Sequence, residues 1–332
     1  MIKEALYYES LPDNKVICKL CPAYCKLSDQ KSGICKSRIN QNGKLVTDNY
    51  GEMVALAVDP IEKKPLYHFY PGSNILSTGA NYCNMGCLHC QNWSISQKKS
   101  PTKFFSPEQL VNTALNQNSI GVAFTYTEPI IWFEYIKDCA VLLKEAGLKV
   151  VLISNGYINP NPLNELIELV DAANIDLKSM SDDFYKRICK AKLKPVLETL
   201  EILAASDVHL EITNLIIPGE NDSDIDIKQL VDFVSSLSDR IPLHLSAYHP
   251  EYKMNTPASD KKIMLNAYKI ASDKLKYVYI GNLTYIDKSN TYCPNCNSLL
   301  VKRNFHSVSI ENIESGVCKN CQSKIDIKSN KF

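Results

Sequence analysis

Three cysteines fall within eight residues of the stretch NYCNMGCLHCQNW (81–93): Cys83, Cys87 and Cys90. Thiolates at this density bind soft metals, and closed zinc or iron–sulfur sites usually take four of them. The C-x3-C-x2-C spacing supplies three. One iron of a [4Fe–4S] cluster would then lack a protein ligand and stay open to an exogenous one. Zinc held by these three thiolates and His89 is the competing reading, disfavoured because adjacent His89 and Cys90 struggle to point at one ion. Eight further cysteines form two sets of four. Cys18, Cys21, Cys25 and Cys35 follow C-x2-C-P-x2-C-x9-C, which suits zinc, slightly favoured, or an auxiliary iron–sulfur cluster. Cys293, Cys296, Cys318 and Cys321 form two C-x2-C knuckles, the pattern of a structural zinc ribbon. Cys139 and Cys189 stand alone in helical segments and read as buried, inert thiols.

The elements that must position the central cysteines alternate in type. Strands are expected at 74–80, 121–125, 149–154, 172–178, 208–217 and 241–248. Between and after them come helical patterns: one from Ser106, with Pro107 at the first turn and Gln109 completing a capping box, then 130–146, a helix carrying Leu163, Leu166, Ile167 and Val170 on one face, KPVLETLEILAAS, 225–237 and 258–275. Six βα units predict a parallel sheet with crossover helices, open or curled. Either form gathers its active site at the C-terminal ends of the strands. Polar residues collect there: the cysteine loop, Thr127 and Glu128, Ser154 and Asn155, Asp176 and Lys178, Asn214, and Tyr248 and His249. Each alone is commonly a cap or turn former; a purely structural sheet has no need for all six strand ends to converge.

The chain of 332 residues, 45% hydrophobic, is long enough for a sizeable core and more than one folded unit. Its 37 basic and 36 acidic residues leave a net charge of +1, so neither nucleic acid nor an anionic membrane surface is the expected partner. The start MIKEALYYES has no apolar leader core and no run reaches membrane-span length. With 13 cysteines in metal-type clusters, the expectation is a cytoplasmic metalloprotein in a reducing environment, rather than a disulfide scaffold. Three regions are expected: a Cys-rich N-terminal metal-binding extension (1–72), a core (73–287) and a zinc-ribbon-like domain (288–332). The extension holds a hairpin signal, with Asn42-Gly43 suited to a type I′ turn. Lys63, Lys64, Tyr67 and His68, just before the first core strand, read equally as a substrate entrance or a packed linker.

C-x3-C-x2-C after a strand, ahead of successive βα units, resembles the signature of the radical S-adenosylmethionine (SAM) superfamily. Over residues 70–285 the likeness is closest to pyruvate formate-lyase activating enzymes, on TYTEP (125–129), ISNG (153–156), IDLK (175–178) and AYHP (247–250). Tyr126 and Thr127 depart from the glycines of the first motif, and Ile153 replaces an acid in the second. With CKLCPAYC, DPIEKKPLYHFYPGS, CQNWSISQ and YCPNC, nearly the whole chain is similar to AmmeMemoRadiSam system radical SAM enzymes. The resemblance implies an α/β partial (β/α)6 TIM-like barrel as the radical SAM core. It also implies a [4Fe–4S] cluster on Cys83, Cys87 and Cys90, with SAM at the open iron. Asp176, Lys178 and His249 would contact SAM, Glu128 would take hydrogen bonds from its ammonium, and Asn155 and Asn214 would hold ribose or methionine groups. The implied partners are a flavodoxin- or ferredoxin-type electron donor, a possible protein substrate as for a glycyl-radical activase, and Memo-type and AMMECR-type proteins. The alternative is a zinc-stabilised adaptor with three structural metal sites.

Overall fold

A computed structural model describes residues 2–283, 288–304 and 307–330. Its centre is one sheet of eight strands: β1 (Ala55–Pro60), β2 (Asn74–Gly79), β3 (Gly121–Phe124), β4 (Lys149–Ser154), β5 (Ala172–Asp176), β6 (His209–Ile216), β7 (Leu243–Ala247) and β8 (Val278–Gly281). Each strand lies beside its sequence neighbour, so the spatial order is the chain order. β1 and β2 are antiparallel, and every later pair is parallel. A doubly wound sheet reverses direction midway; this one does not, so with right-handed crossovers its helices share one face. Those helices are α1 (Pro107–Asn116), α2 (Phe133–Glu145), α3 (Pro160–Ile167), α4 (Lys194–Ala204), α5 (Asp224–Leu237) and α6 (Lys261–Ser272).

The six expected βα units are present, with two strands more. Sequence reading passed over β1, which carries Asp59 and ends in Pro60, and β8, only four residues long. Both are edge strands, where a proline costs no ladder bond and a short span suffices. The expected helix from 130 begins as a 3-10 turn, Pro129–Trp132, and becomes α2 at Phe133. Ser106 caps α1 with the full reciprocal box to Gln109. The cores of β3 and β4 are wholly apolar and buried, as strands covered on both faces must be. Gly121 sits where a Cβ would come 2.0 Å from the Lys149 carbonyl oxygen, so only glycine lets β3 and β4 approach there.

The face opposite the helices is filled by residues 61–70 and a buried polar network. Glu211 on β6 accepts from the backbone N–H groups of Tyr67 (3.0 Å) and His68 (2.7 Å) and pairs with the rings of His209 (3.0 Å) and His244 (2.6 Å). His68, fully buried, bonds the Tyr279 hydroxyl at 2.6 Å. A cavity beside this segment is bordered by Pro60 of β1 and by Ile280 and Gly281 of β8, which brings the two unpaired sheet edges onto one opening.

The N-terminal residues form two small antiparallel sheets, and the Arg38–Gln41 and Lys44–Thr47 strands turn at Asn42-Gly43, both with φ in the left-handed region (54° and 80°). They share the main hydrophobic core through Ala5, Val16, Leu20 and Leu45. Buried Arg38 pairs with Glu134 of α2, which also accepts from the Leu6 N–H at 2.8 Å. Residues 55–60, within the expected extension, belong to the main sheet. The expected boundary at 287/288 adjoins positions 284–287, outside the described residues. Beyond it, a separate small core gathers Leu300, Val301, Ile313, Ile325 and Ile327 around Cys293 and Cys318. Among the described residues no helix is long and apolar enough to cross a membrane.

Candidate active site

The loop leaving β2 carries the three central cysteines across the C-terminal ends of the strands. Two backbone bonds tie it down: Gly86 N–H donates to the Cys189 carbonyl and Leu88 N–H to the Ile188 carbonyl, both at 3.0 Å. Cys83 and Cys90 are half-buried and Cys87 is buried. Cys83 Sγ accepts from the Met85 N–H at 3.3 Å and from the Asn155 amide at 3.5 Å. Cys90 Sγ lies 3.1 Å from the Ser96 hydroxyl.

A single zinc with thiolates at about 2.3 Å draws its sulfur atoms to about 3.8 Å from one another. Among the described residues, the one group whose ligand atoms all gather within 4.8 Å is Cys293, Cys296, Cys318 and Cys321, with two Sγ pairs at 3.6 Å. Cys83, Cys87 and Cys90 do not form such a group, alone or with His89. His89 is buried, its Nδ1 has no partner, and burial followed by the Lys178 charge lowers its pKa to about 3.

Around the cysteine loop stand the residues expected from the strand ends. Glu128 is 1% exposed and accepts from Ile130 N–H (3.0 Å), the Ser154 hydroxyl (2.7 Å) and Asn155 N–H (2.8 Å). Burial raises its pKa to about 7 against those bonds. Its carboxyl thus locks the β3 end to the β4 end. Gly156 follows at φ +68°, where a side chain would be strained and would meet Ile175 at 2.9 Å. Asn155 donates to Asn84 Oδ1 (2.9 Å) as well as to Cys83, and accepts from Tyr157 N–H at 2.8 Å. Asp176 and Lys178 pair at 2.9 Å, the lysine mostly buried and the aspartate more open. Burial alone would lower the Lys178 pKa; Asp176, Cys87 and Cys189 outweigh it and hold the ammonium charged. Asn214 donates to the Leu177 carbonyl at 2.7 Å and keeps a buried Oδ1 with no partner. His249 is exposed and meets Gln91, next to Cys90, at 3.1 Å.

Some sequence expectations change. Cys139 is an inert core thiol, fully buried in α2. Cys189 is not isolated: it ends a π-turn, Tyr185–Cys189, and its thiol hydrogen-bonds Cys87. Asn84, between Cys83 and the Tyr157 carbonyl it donates to at 2.8 Å, was missed as well. Neither had a sequence signal, because each acts across a distance in the chain. Lys64 and His68 are buried in the packed linker, and Lys64 pairs with Asp59 at 2.9 Å. Lys63 and Tyr67 border the cavity between the sheet edges. Trp93 packs on Tyr252 with ring centroids 5.4 Å apart.

Residues 78–234 match the sequence profile of the Radical SAM superfamily. An uncharacterized protein of Methanocaldococcus jannaschii, MJ0808, is 44% identical over 334 residues, covering 98% of this chain and 99% of that one. The chain belongs to the radical SAM superfamily. Pyruvate formate-lyase 1-activating enzyme of Escherichia coli is 26% identical over 194 residues, 56% of this chain and 79% of the enzyme. A crystal structure of a radical SAM methyltransferase from Sphaerobacter thermophilus shares the fold, with a TM-score of 0.53 at 14% identity over 70% of this chain and 71% of the other. Superfamily membership makes the chain an enzyme of SAM-cleaving type.

Proposed function

We propose that Cys83, Cys87 and Cys90 hold a [4Fe–4S] cluster whose open iron binds SAM, and that the chain activates a protein substrate by abstracting a hydrogen atom. The observation that carries this reading is that three thiols share one loop at the strand ends and lie outside the one compact ligand group among the described residues, the C-terminal four cysteines. When bound, the cluster and SAM supply a 5′-deoxyadenosyl radical by one-electron reductive cleavage; the protein supplies placement and exclusion.

The chain's own residues divide that work. Lys178, kept charged by Asp176, offers an ammonium to SAM's carboxylate. Glu128 has one acceptor position beyond its three hydrogen bonds for SAM's ammonium, and meanwhile holds Asn155 against Cys83. The unpartnered Asn214 Oδ1 is an acceptor in search of a donor, as a ribose hydroxyl would provide. His249 and Gln91 stand at the exposed rim, where the adenosine end or the substrate would meet the protein.

A protein substrate, in the manner of a glycyl-radical activase, is supported by the likeness to the pyruvate formate-lyase activating enzyme. The flanking motifs support the AmmeMemoRadiSam branch, with Memo-type and AMMECR-type proteins as partners and a ferredoxin- or flavodoxin-type donor in the cytoplasm. The core is proposed as a partial (β/α)6 barrel, in keeping with the sequential strand order and the cavity common to both edges. The C-terminal four cysteines hold zinc. The zinc-adaptor alternative requires single-ion spacing in all three clusters, and one of the three has it. The test is incubation of the reduced holoenzyme and SAM with candidate Memo-type, AMMECR-type and glycyl-radical proteins: a stable doublet radical, or deuterium moving from labelled substrate into 5′-deoxyadenosine, is expected. Cleavage of SAM with no transfer from any of them would refute the protein-substrate assignment.

A further inference from the structure

Cys18, Cys21, Cys25 and Cys35 line one enclosed cavity together with Arg38 and Asn84. Sequence spacing leaves zinc and iron–sulfur open for this set; the thiol arrangement favours iron–sulfur. The C-terminal thiols are drawn to 3.6 Å pairs, as one zinc requires. No three of the N-terminal thiols fall within 4.8 Å of one another, although all four face the same cavity.

Local structure agrees. A zinc ribbon presents two C-x2-C knuckles, and this set has one, Cys18-x2-Cys21, followed by two separate cysteines. The site is dry, with Cys18, Cys21 and Cys35 at 6%, 8% and 7% exposure. Arg38, itself buried, sets its guanidinium 4.0 Å from Cys18 Sγ, a positive charge beside the thiolates. Asn84 belongs to two sites at once: it lines this cavity, and its Oδ1 accepts from Asn155 at 2.9 Å and lies 3.8 Å from Cys83 Sγ.

We propose that Cys18, Cys21, Cys25 and Cys35 hold a second iron–sulfur cluster, in a cavity that Asn84, the residue after Cys83, helps to line. A one-electron donor of ferredoxin or flavodoxin type that reduces this cluster is oxidised by one electron as the cluster gains one. No bond forms or breaks and no proton moves, and Asn84, which lines this cavity and lies 3.8 Å from Cys83 Sγ, marks the route to the central cysteines. The identity of the cluster stands independently of the proposed function; only its role as a neighbour rests on that reading.

The test uses the full-length chain with Cys83→Ala, Cys87→Ala and Cys90→Ala together, expressed with iron and zinc both supplied and purified anaerobically. The expected result is iron and sulfide in equal amounts, about two of each per chain for a [2Fe–2S] and about four for a [4Fe–4S] cluster, with the matching Mössbauer spectrum and about one zinc. About two zinc per chain with no iron or sulfide would overturn the proposal. Should the triple variant fail to fold, the wild-type holoenzyme decides: more than four irons per chain supports the second cluster, and loss of the excess in Cys21→Ser/Cys25→Ser assigns it. Fully reduced wild-type enzyme is expected to give electron paramagnetic resonance signals broadened by mutual interaction; two sharp, independent signals would overturn the neighbouring placement. A triple variant that keeps its cluster while the wild type makes no 5′-deoxyadenosine would sink the proposed function and leave this inference standing.

Discussion

Asn155 gives the sharpest handle on the cysteine loop, because its amide donates to Cys83 Sγ at 3.5 Å while its carbonyl oxygen holds the Tyr157 N–H. A hydrogen bond to a cluster sulfur favours the more negative, reduced state and raises the potential. A net hydrogen bond contributes about 1 kcal/mol, which for a one-electron couple corresponds to about 40 mV. Asn155→Ala therefore lowers the midpoint potential by up to about 40 mV. Asn155→Asp keeps the acceptor for Tyr157 and replaces the donor by an anion at the same position. One unit charge about 4 Å away at an effective dielectric constant of about 20 is worth about 4 kcal/mol, or up to about 170 mV for one electron. The assay is a potential titration of the reconstituted enzyme without SAM, followed by electron paramagnetic resonance, at alkaline pH so that the introduced carboxylate is ionised. Both variants shift negative, the aspartate further. An unchanged or raised potential in Asn155→Asp would refute the contact with a cluster thiolate.

Glu128, raised by burial to about 7 from 4.5, binds its proton more tightly in the folded chain than in the unfolded one. Its contribution is full below the unfolded pKa and is lost as pH rises through about 7, up to about 3 kcal/mol. Glu128→Gln removes that dependence, so the thermal-midpoint gap between wild type and variant narrows from pH 5 to pH 8.5; a constant gap would contradict the shift. Arg38→Met strands buried Glu134 and costs about 3–5 kcal/mol in denaturant unfolding, largely recovered in Arg38→Met/Glu134→Leu; an additive double variant would deny the pair. Chelation of the C-terminal metal is expected to release about one zinc and to abolish hydrogen-exchange protection at Leu299–Asn304 and Ser307–Ile310 while the main sheet stays protected; unchanged protection would mean the ribbon needs no metal.

Local signals carried the repeated βα frame. The Ser106-Pro107-Gln109 start of α1, the Asn42-Gly43 hairpin and β4 at 149–154 are all patterns complete within a few residues, and the structure has each. The strand ends named the residues that surround the cysteine loop for the same reason: polar residues break the apolar run where a buried strand ends. What escaped depends on partners far away in the chain. Glu211 reads as an ordinary acid in an apolar strand, and only the fold brings it the Tyr67 and His68 N–H groups and the His244 ring, beside its strand neighbour His209. The Cys189 thiol and the Asn84 amide gain meaning from Cys87 and from Asn155, 102 and 71 positions away. Thiol spacing in three dimensions has no trace in the counts between cysteines: among the described residues the C-terminal four gather within 4.8 Å and the other two sets do not.

The proposed role of Cys83, Cys87 and Cys90 in reductive cleavage of SAM is tested by the 5′-deoxyadenosine that the anaerobically reconstituted full-length chain forms with dithionite and SAM, beside Cys87→Ala treated identically. The wild type is expected to give 5′-deoxyadenosine and methionine in equal amounts, together with a SAM-induced change in the reduced cluster's electron paramagnetic resonance signal, and the variant neither. No 5′-deoxyadenosine from a wild-type chain with full iron loading, or equal amounts from Cys87→Ala, would contradict it.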